Sequence, residues 1–421
     1  MLDVKFIREN PEKVKAGVVK KKIDPKLVDK FLRLDDEWRV KTKALDDLAA
    51  EQNAISREMG QSQSQDLLSK AQLLKQRIAD IEAERDVLSS KRDDILNKLP
   101  NLPFDDVPFG KDESENKVLR EVGKKKNFKF KPKDYLTIAE KLRIVNVKKA
   151  TEIAGSRFGY LMGDAALLEF ALVRLAFDTL VKEGFTPVVP PVMITPTVYR
   201  EMGRLAADQK EDKYYLPKDE LYLVGSAEHT IGPLGRGEIF EVSSLPKRFV
   251  GFSTCFRREA GSYGKDTKGI LRVHQFDKVE MYSFVEPENS EREHKFLLSM
   301  QEKLVGALEL PYRVMEICTG DMGWTDARQF DVETWMPGQG ETGEYRETHS
   351  CSNTTDFQTR GINAKYKTKD GKKEFLYALN ATGFAIGRIL IAIIENYQTE
   401  DGGVEIPKVL RDYLGKDKIE P

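Results

Sequence analysis

Cysteine and histidine are scarce in this chain, with three of the first and four of the second among 421 residues. Cys255, Cys318 and Cys351 stand far apart with no CxxC pair. That excludes a disulfide framework, points to a reducing compartment, and leaves no zinc expected. Long apolar runs are missing as well: the longest, Phe384 to Ile394, is interrupted by Arg388 and is too short to span a bilayer. The opening Met1-Leu-Asp-Val-Lys-Phe-Ile-Arg8 has no apolar signal core, so a cytoplasmic location and no membrane partner are expected. Neither charge is in excess, since 68 Lys and Arg meet 69 Asp and Glu. Contact with a polyanion would therefore depend on a local patch rather than on the field of the whole chain. No Ser/His/Asp or Cys/His arrangement suggests a protein nucleophile, and no internal repeat is present.

The length suffices for two domains, each with its own core. From about 27 to 98 the chain reads as two long helices. In the first, Phe31, Leu34, Trp38, Lys41, Leu45, Leu48, Gln52, Ile55 and Met59 recur at alternating steps of three and four. In the second, Leu67, Ala71, Leu74, Ile78, Ile81, Arg85, Leu88, Arg92, Ile95 and Leu99 do the same. These are coiled-coil seams, and neither helix can bury its stripe alone. The polar turn from Gly60 to Asp66, with Ser64 or Asp66 as helix cap, implies an antiparallel hairpin roughly 50 Å long at about 1.5 Å per residue. Lys41, Gln52, Arg85 and Arg92 occupy seam positions, where their stems are expected to cover the seam while the heads reach water. The domains are expected to divide near residue 110, with 111–421 forming the second.

Pro100 to Pro132 is rich in proline, glycine and charge, includes Lys124-Lys-Lys126, and reads as a linker with a few short strands. Residues 133–183 read as helical. Strand-like runs then follow one another: 221–224, 248–257, 270–285, 312–318, 329–335, 344–351 and 374–379. A helix over about 288–308 interrupts them and another begins near Gly383. Strands in succession, not alternating with helices, imply an α+β fold on an antiparallel sheet.

The run from Thr254 to Gly269, followed by Arg272-Val-His-Gln-Phe-Asp-Lys-Val-Glu280, packs cations, glycines, an aromatic ring and carboxylates between two strand-like segments. Gripping a nucleotide's polyphosphate and base needs such a set, and a solvated hairpin has little reason to carry it. With Gly184-Phe-Thr-Pro-Val-Val-Pro-Pro191, Cys318-Thr-Gly-Asp-Met-Gly323, Ser350-Cys-Ser-Asn353 and Leu379-Asn-Ala-Thr-Gly-Phe-Ala-Ile-Gly-Arg388, it resembles the class II aminoacyl-tRNA synthetases. Within them, the seryl family is the one it is similar to over essentially the whole chain. Pro190 falls at that family's dimer-interface proline. Ser226, in Gly225-Ser-Ala-Glu-His229, stands where the family more often has threonine, and His349 where a small residue is commoner.

The resemblance implies ATP-dependent attachment of L-serine to serine tRNA through a seryl-adenylate, extending, where that tRNA exists, to selenocysteine tRNA. It implies a homodimer and a hairpin that contacts the long variable arm of the tRNA. Carried over residue by residue, it makes Arg257 and Arg388 the catalytic pair. Arg257, Arg258, Glu259, Arg272, Val273, Phe276, Glu347, Thr348, His349, Ser350 and Arg388 are expected around ATP. Glu347 and Ser350 are expected to hold Mg²⁺ with the phosphates, and Ser226, Ala227, Glu228, Glu280, Asn380 and Thr382 to surround serine. Gln275, Lys278 and Asp321 are candidates to support them. Two other readings compete: a different class II synthetase, for which an anticodon domain would be expected after Arg388, and a binding protein with a decayed site, which would be expected to have lost some of these charges.

Overall fold

The computed structural model describes residues 1–61, 64–260, 266 and 268–421. The turn residues Ser62 and Gln63, and Gly261 to Lys265 with Thr267 of the glycine-rich run, lie outside the described residues. The chain divides into two compact units, Met1–Pro100 and Asn101–Pro421. That division falls about ten residues earlier than the one expected near 110. Asn101 belongs to the second unit because its buried amide donates to the carbonyls of Thr325 and Thr354 at 2.9 and 2.8 Å.

The first unit has two short helices, α1 (Val4–Glu9) and α2 (Pro11–Lys20), and two long ones, α3 (Lys26–Gln61) and α4 (Gln65–Leu96). Ser64 caps α4, accepting from the Leu67 amide at 3.2 Å. The seam packs as its period demands, with Phe31, Leu34, Leu45, Leu48, Leu74 and Ile95 buried. Its cations do not simply reach water. Lys41 pairs with Glu84 of the facing helix at 2.5 Å. Arg92 lies 4.2 Å from the Trp38 ring and 3.7 Å from the carboxylate of Asp35. Asp35, fully buried, also takes a two-pronged grip from Arg8 at 2.5 and 2.8 Å. Removing a buried carboxylate strands both guanidiniums, a cost of about 3 kcal/mol. Asp35→Ala is therefore expected to lower the urea midpoint of this unit, and an unchanged denaturation curve would contradict the assignment.

The second unit is built on an eight-stranded sheet. Its strands are β1 (Lys117–Val122), β2 (Thr186–Val188), β3 (Lys247–Phe256), β4 (Gln275–Val285), β5 (Tyr312–Glu316), β6 (Arg328–Met336), β7 (Glu344–Asn353) and β8 (Tyr377–Ala385). They lie in the order β1-β5-β6-β7-β8-β4-β3-β2, antiparallel except for the β2–β3 edge. Helices α5 (Asp164–Lys182), α6 (Ser290–Ala307) and α7 (Ile386–Asn396) pack on the sheet. Their apolar residues join Val279, Met281, Val332 and Leu379 in the main core. The last helix begins three residues later than its sequence suggests. Gly383 is an extra residue in β8, unpaired between the Val279–Phe384 and Glu280–Thr382 partners, so the strand runs on to Ala385. A Cβ there would come within 3.0 Å of Val279 Cγ1. No helix among the described residues is long and apolar enough to cross a membrane.

Candidate active site

Period-two alternation builds the site. Phe276, Lys278 and Glu280 occupy alternate positions of β4, and Thr382 of β8 sits opposite Glu280, with Asn380 two residues along. Phe276 and Glu280 are four residues apart, a span of about 13 Å along the strand. On β7 the register slips, so that His349 pairs with Val332 but Glu347 with Glu333, leaving Thr348 as a bulge. Strict alternation would send Glu347 and Ser350, three apart, to opposite faces. The bulge lets both line the same cavity, of about 480 Å³. Gln301 of α6, fully buried, ties the two strands together by donating to the Ser350 and Thr382 carbonyls at 2.8 and 2.9 Å.

That one cavity brings together Arg257, Glu259, Arg272, Val273, Phe276, Glu347, Thr348, Ser350 and Arg388 with Ser226, Glu228, Glu280, Asn380 and Thr382. Three residues expected with them lie elsewhere. Ala227 packs into the core against Met202, Ile231 and Tyr282. The bulge turns His349 away from the cavity; its Nδ1 lies 2.9 Å from Thr348 Oγ1 and its ring 5.9 Å from that of Phe384. Burial holds this imidazole down at about 3, so it is neutral. The Arg258 guanidinium faces the Tyr214 ring at 5.9 Å. Of the candidate supporting residues, Lys278 lines the cavity, Gln275 lines a neighbouring one, and Asp321 accepts from Asn116 at 2.8 Å.

Arg257 is not spent on Glu259. Its Nε donates to the Gly225 carbonyl at 3.2 Å, and its guanidinium lies 5.1 Å from the Phe276 ring. Glu259 instead pairs with Arg272 at 2.5 Å, with its own backbone at φ 53°, the left-handed region. Arg388, on the first turn of α7, reaches the Glu347 carbonyl at 2.9 Å and its carboxylate at 3.2 Å. Burial alone would raise the Glu347 carboxyl, but Arg388, Arg257 and Lys278 hold it below the usual carboxylate range.

The far end of the cavity is small and polar. Burial pushes Glu280 up despite Lys278 Nζ at 2.6 Å, and the Glu228 charge adds to the rise. Glu228 is itself held well below the ordinary range against its burial, chiefly by Arg204 at 2.6 Å and by His229. His229 Nδ1 accepts from the Gly225 amide at 3.2 Å, which leaves the ring proton on Nε2 facing Glu228. Burial keeps this ring neutral, with its pKa near 3. Among the described residues Asn380 Nδ2 is buried with no hydrogen-bond partner, and the Glu280 Oε2 ion pair is not an aligned hydrogen bond. Unspent donors and acceptors at one end of a cavity suit a small ligand carrying both an ammonium and a hydroxyl.

Arg204, Lys213, His229, Asp326, Gln329 and Ser352 also line the cavity but were not among the residues expected there. Burial, then the nearby Arg257 charge, lowers Lys213, so Arg204, Lys213 and Arg257 concentrate positive charge at the site. Glu347 and Ser350 offer the hard oxygens Mg²⁺ prefers. No group of three or more His, Cys, Asp or Glu able to hold a metal occurs among the described residues. The donor set thus fits an ion held by one or two protein oxygens and completed by phosphate and water.

Comparison with known proteins follows the same outline. Residues 213–397 match the family model described as tRNA synthetase class II core domain (G, H, P, S and T), and residues 1–103 match the Seryl-tRNA synthetase N-terminal domain. The chain is 41% identical to the serine--tRNA ligase of Corynebacterium glutamicum, over 100% of this chain and 99% of that one. The crystal structure of seryl-tRNA synthetase from Pyrococcus horikoshii complexed with ATP superposes with a TM-score of 0.91 at 40% identity, covering 100% of both chains. The cytoplasmic serine-tRNA ligase of Naegleria fowleri in complex with AMP gives a TM-score of 0.87 at 32% identity, covering 100% of this chain and 99% of that one. With its helical hairpin, its antiparallel sheet and this degree of identity along its whole length, the chain belongs to the class II seryl-tRNA synthetase family.

Proposed function

We propose that this chain activates L-serine with ATP and transfers it to serine tRNA, using the cavity residues in the following roles. A serine carboxylate oxygen attacks the α-phosphorus of ATP, and the bond to the β-phosphate oxygen breaks, releasing pyrophosphate and leaving seryl-adenylate. A terminal ribose hydroxyl of the tRNA then attacks the seryl carbonyl carbon, and AMP leaves. Positioning and fixed positive charge dominate such a phosphorus transfer, so no protein nucleophile is required.

Arg257 clamps the α-phosphate and the attacking carboxylate, since its planar fork matches both. Phe276 stacks on the adenine, Glu259 accepts from its amino group, and Val273 offers backbone contacts. Arg272 and Arg388 hold the polyphosphate. Glu347 and Ser350 would hold Mg²⁺, which when bound neutralises phosphate charge and orients the leaving group. Glu280 meets the serine ammonium, while Asn380, Thr382, Ser226 and Glu228 enclose its side chain. A wall that hydrogen-bonds the hydroxyl rejects alanine, because alanine leaves buried polar groups unpaired; threonine is rejected by size.

The observation that carries this reading is the convergence of Arg257, Glu280, Glu347 and Arg388 on one cavity, in a chain similar to serine ligases end to end. Serine-dependent ATP–pyrophosphate exchange tests it. No exchange with serine, or better exchange with threonine, would overturn it.

The same reading includes a homodimer, with each hairpin serving the variable arm of a serine tRNA. Two exposed apolar side chains support a partner: Val189, 87% exposed and adjacent in sequence to Pro190, and Phe170 on α5, 67% exposed. Phe170→Asp combined with Val189→Asp is expected to halve the mass measured by light scattering. A parent that is already monomeric would rule the dimer out.

A further inference from the structure

One segment of the second unit is left unexplained by the motifs. Lys124 to Lys133 reads Lys-Lys-Lys-Asn-Phe-Lys-Phe-Lys-Pro-Lys, six lysines in ten residues with no carboxylate, in a chain whose charges balance overall. All six lysines are exposed, and the segment forms neither helix nor strand. None of the six ammonium groups has an ion pair among the described residues. The usual fate of such a run is a mobile, solvated loop, but this one is anchored. The Lys133 amide donates to Gln398 Oε1 at 2.8 Å, and its carbonyl accepts from Gln398 Nε2 at 3.0 Å. The same carbonyl abuts Gly338, where an added Cβ would lie 2.5 Å from it. Further along, Lys125 Nζ is seated 3.8 Å from the Trp335 ring centre and 4.6 Å from that of Tyr345.

Between this segment and the turn Pro337–Thr342 lies a cleft of about 620 Å³. Its only acidic lining residues among those described are Asp134 and Glu341, and Asp134 is engaged in capping the helix Tyr135–Lys141. We propose that this cleft binds the phosphate backbone of RNA, as an additional contact for the tRNA substrate on the catalytic unit. This rests on the ligase reading above. Six cations strung along ten residues of irregular chain, up to about 30 Å if extended, suit an extended polyanion better than one phosphate. Lysines without a bidentate arginine read charge and not sequence, so the contact adds affinity without choosing among tRNAs.

The test compares the parent with a Lys126→Gln, Lys131→Gln, Lys133→Gln triple variant, all three lysines lining the cleft, and with the corresponding triple arginine variant. Binding of a serine tRNA transcript is titrated against KCl, and serine-dependent pyrophosphate exchange is measured alongside. The glutamine variant should bind roughly tenfold more weakly, with the slope of log affinity against log salt smaller by about two to three. Exchange should stay within about twofold, and the arginine variant should bind as the parent does. Unchanged affinity and slope would overturn the proposal, and so would exchange falling in step with binding, which would make the segment a support of the fold. A parent lacking serine-dependent exchange would sink the ligase reading, while the binding comparison would still decide this one.

Discussion

Replacing Arg257 by alanine should lower serine-dependent ATP–pyrophosphate exchange roughly a thousandfold, equivalent to about 4 kcal/mol of transition-state stabilisation. Its guanidinium faces the cavity beside Phe276 and, among the described residues, has only the Gly225 carbonyl as a hydrogen-bonding partner, leaving its terminal nitrogens available for substrate oxygens. Arg257→Lys should recover only a small part of the loss, because a point charge cannot bridge phosphate and carboxylate in one plane. The melting temperature should move by no more than about 3 °C, since one charge-assisted hydrogen bond is worth about 2 kcal/mol. Exchange within tenfold of the parent would remove Arg257 from the α-phosphate. A collapse of the melting transition would mean that the residue acts through the fold.

Arg257, Phe276 and Glu280 stand out in the sequence as a cation, a ring and a carboxylate flanking a glycine-rich turn, and Arg388 comes with the family resemblance. In the structure Phe276 and Glu280 share one strand, Arg257 follows the end of another, and Arg388 lies on the first turn of a helix. Arg204 and Lys213 could not. They come from irregular segments after short helices, and only tertiary contact with Glu228 and Arg257 brings them to the cavity. The resemblance carries over Glu347 to Ser350 as one run, whereas on the strand the bulge at Thr348 leaves His349 outside the cavity that the other three line. Gly383 misled in the same way: a glycine before an apolar run looks like the entry to a helix, whereas here it is a strand irregularity. In the hairpin the apolar seam was legible throughout. The buried Asp35, off the seam period, was not, because its worth lies in Arg8 and Arg92, which reach it from other helices.

The hairpin allows substrate choice to be separated from chemistry. Replacing residues 46–80 by a short Gly-Ser turn would remove the distal half of the arm while keeping the Lys41–Glu84 pair, Arg92 against Trp38, and Asp35 with its two arginines. Pyrophosphate exchange should then remain within about twofold of the parent, because every residue assigned to serine and ATP lies in the second unit. Acylation of serine tRNA should fall about a hundredfold in kcat/KM, the loss of an interaction worth about 3 kcal/mol. An RNA helix is read mainly through shape and backbone, which suits a long rigid rod with few aromatic side chains and charged flanks. A transcript lacking its long variable arm should be charged by parent and shortened protein equally poorly, since the missing contact is the same on either side. If the shortened protein still charged the full transcript at the parental rate, tRNA selection would have to reside in the second unit. If exchange were lost together with acylation, the arm would be a structural requirement of catalysis and not the element that chooses the RNA.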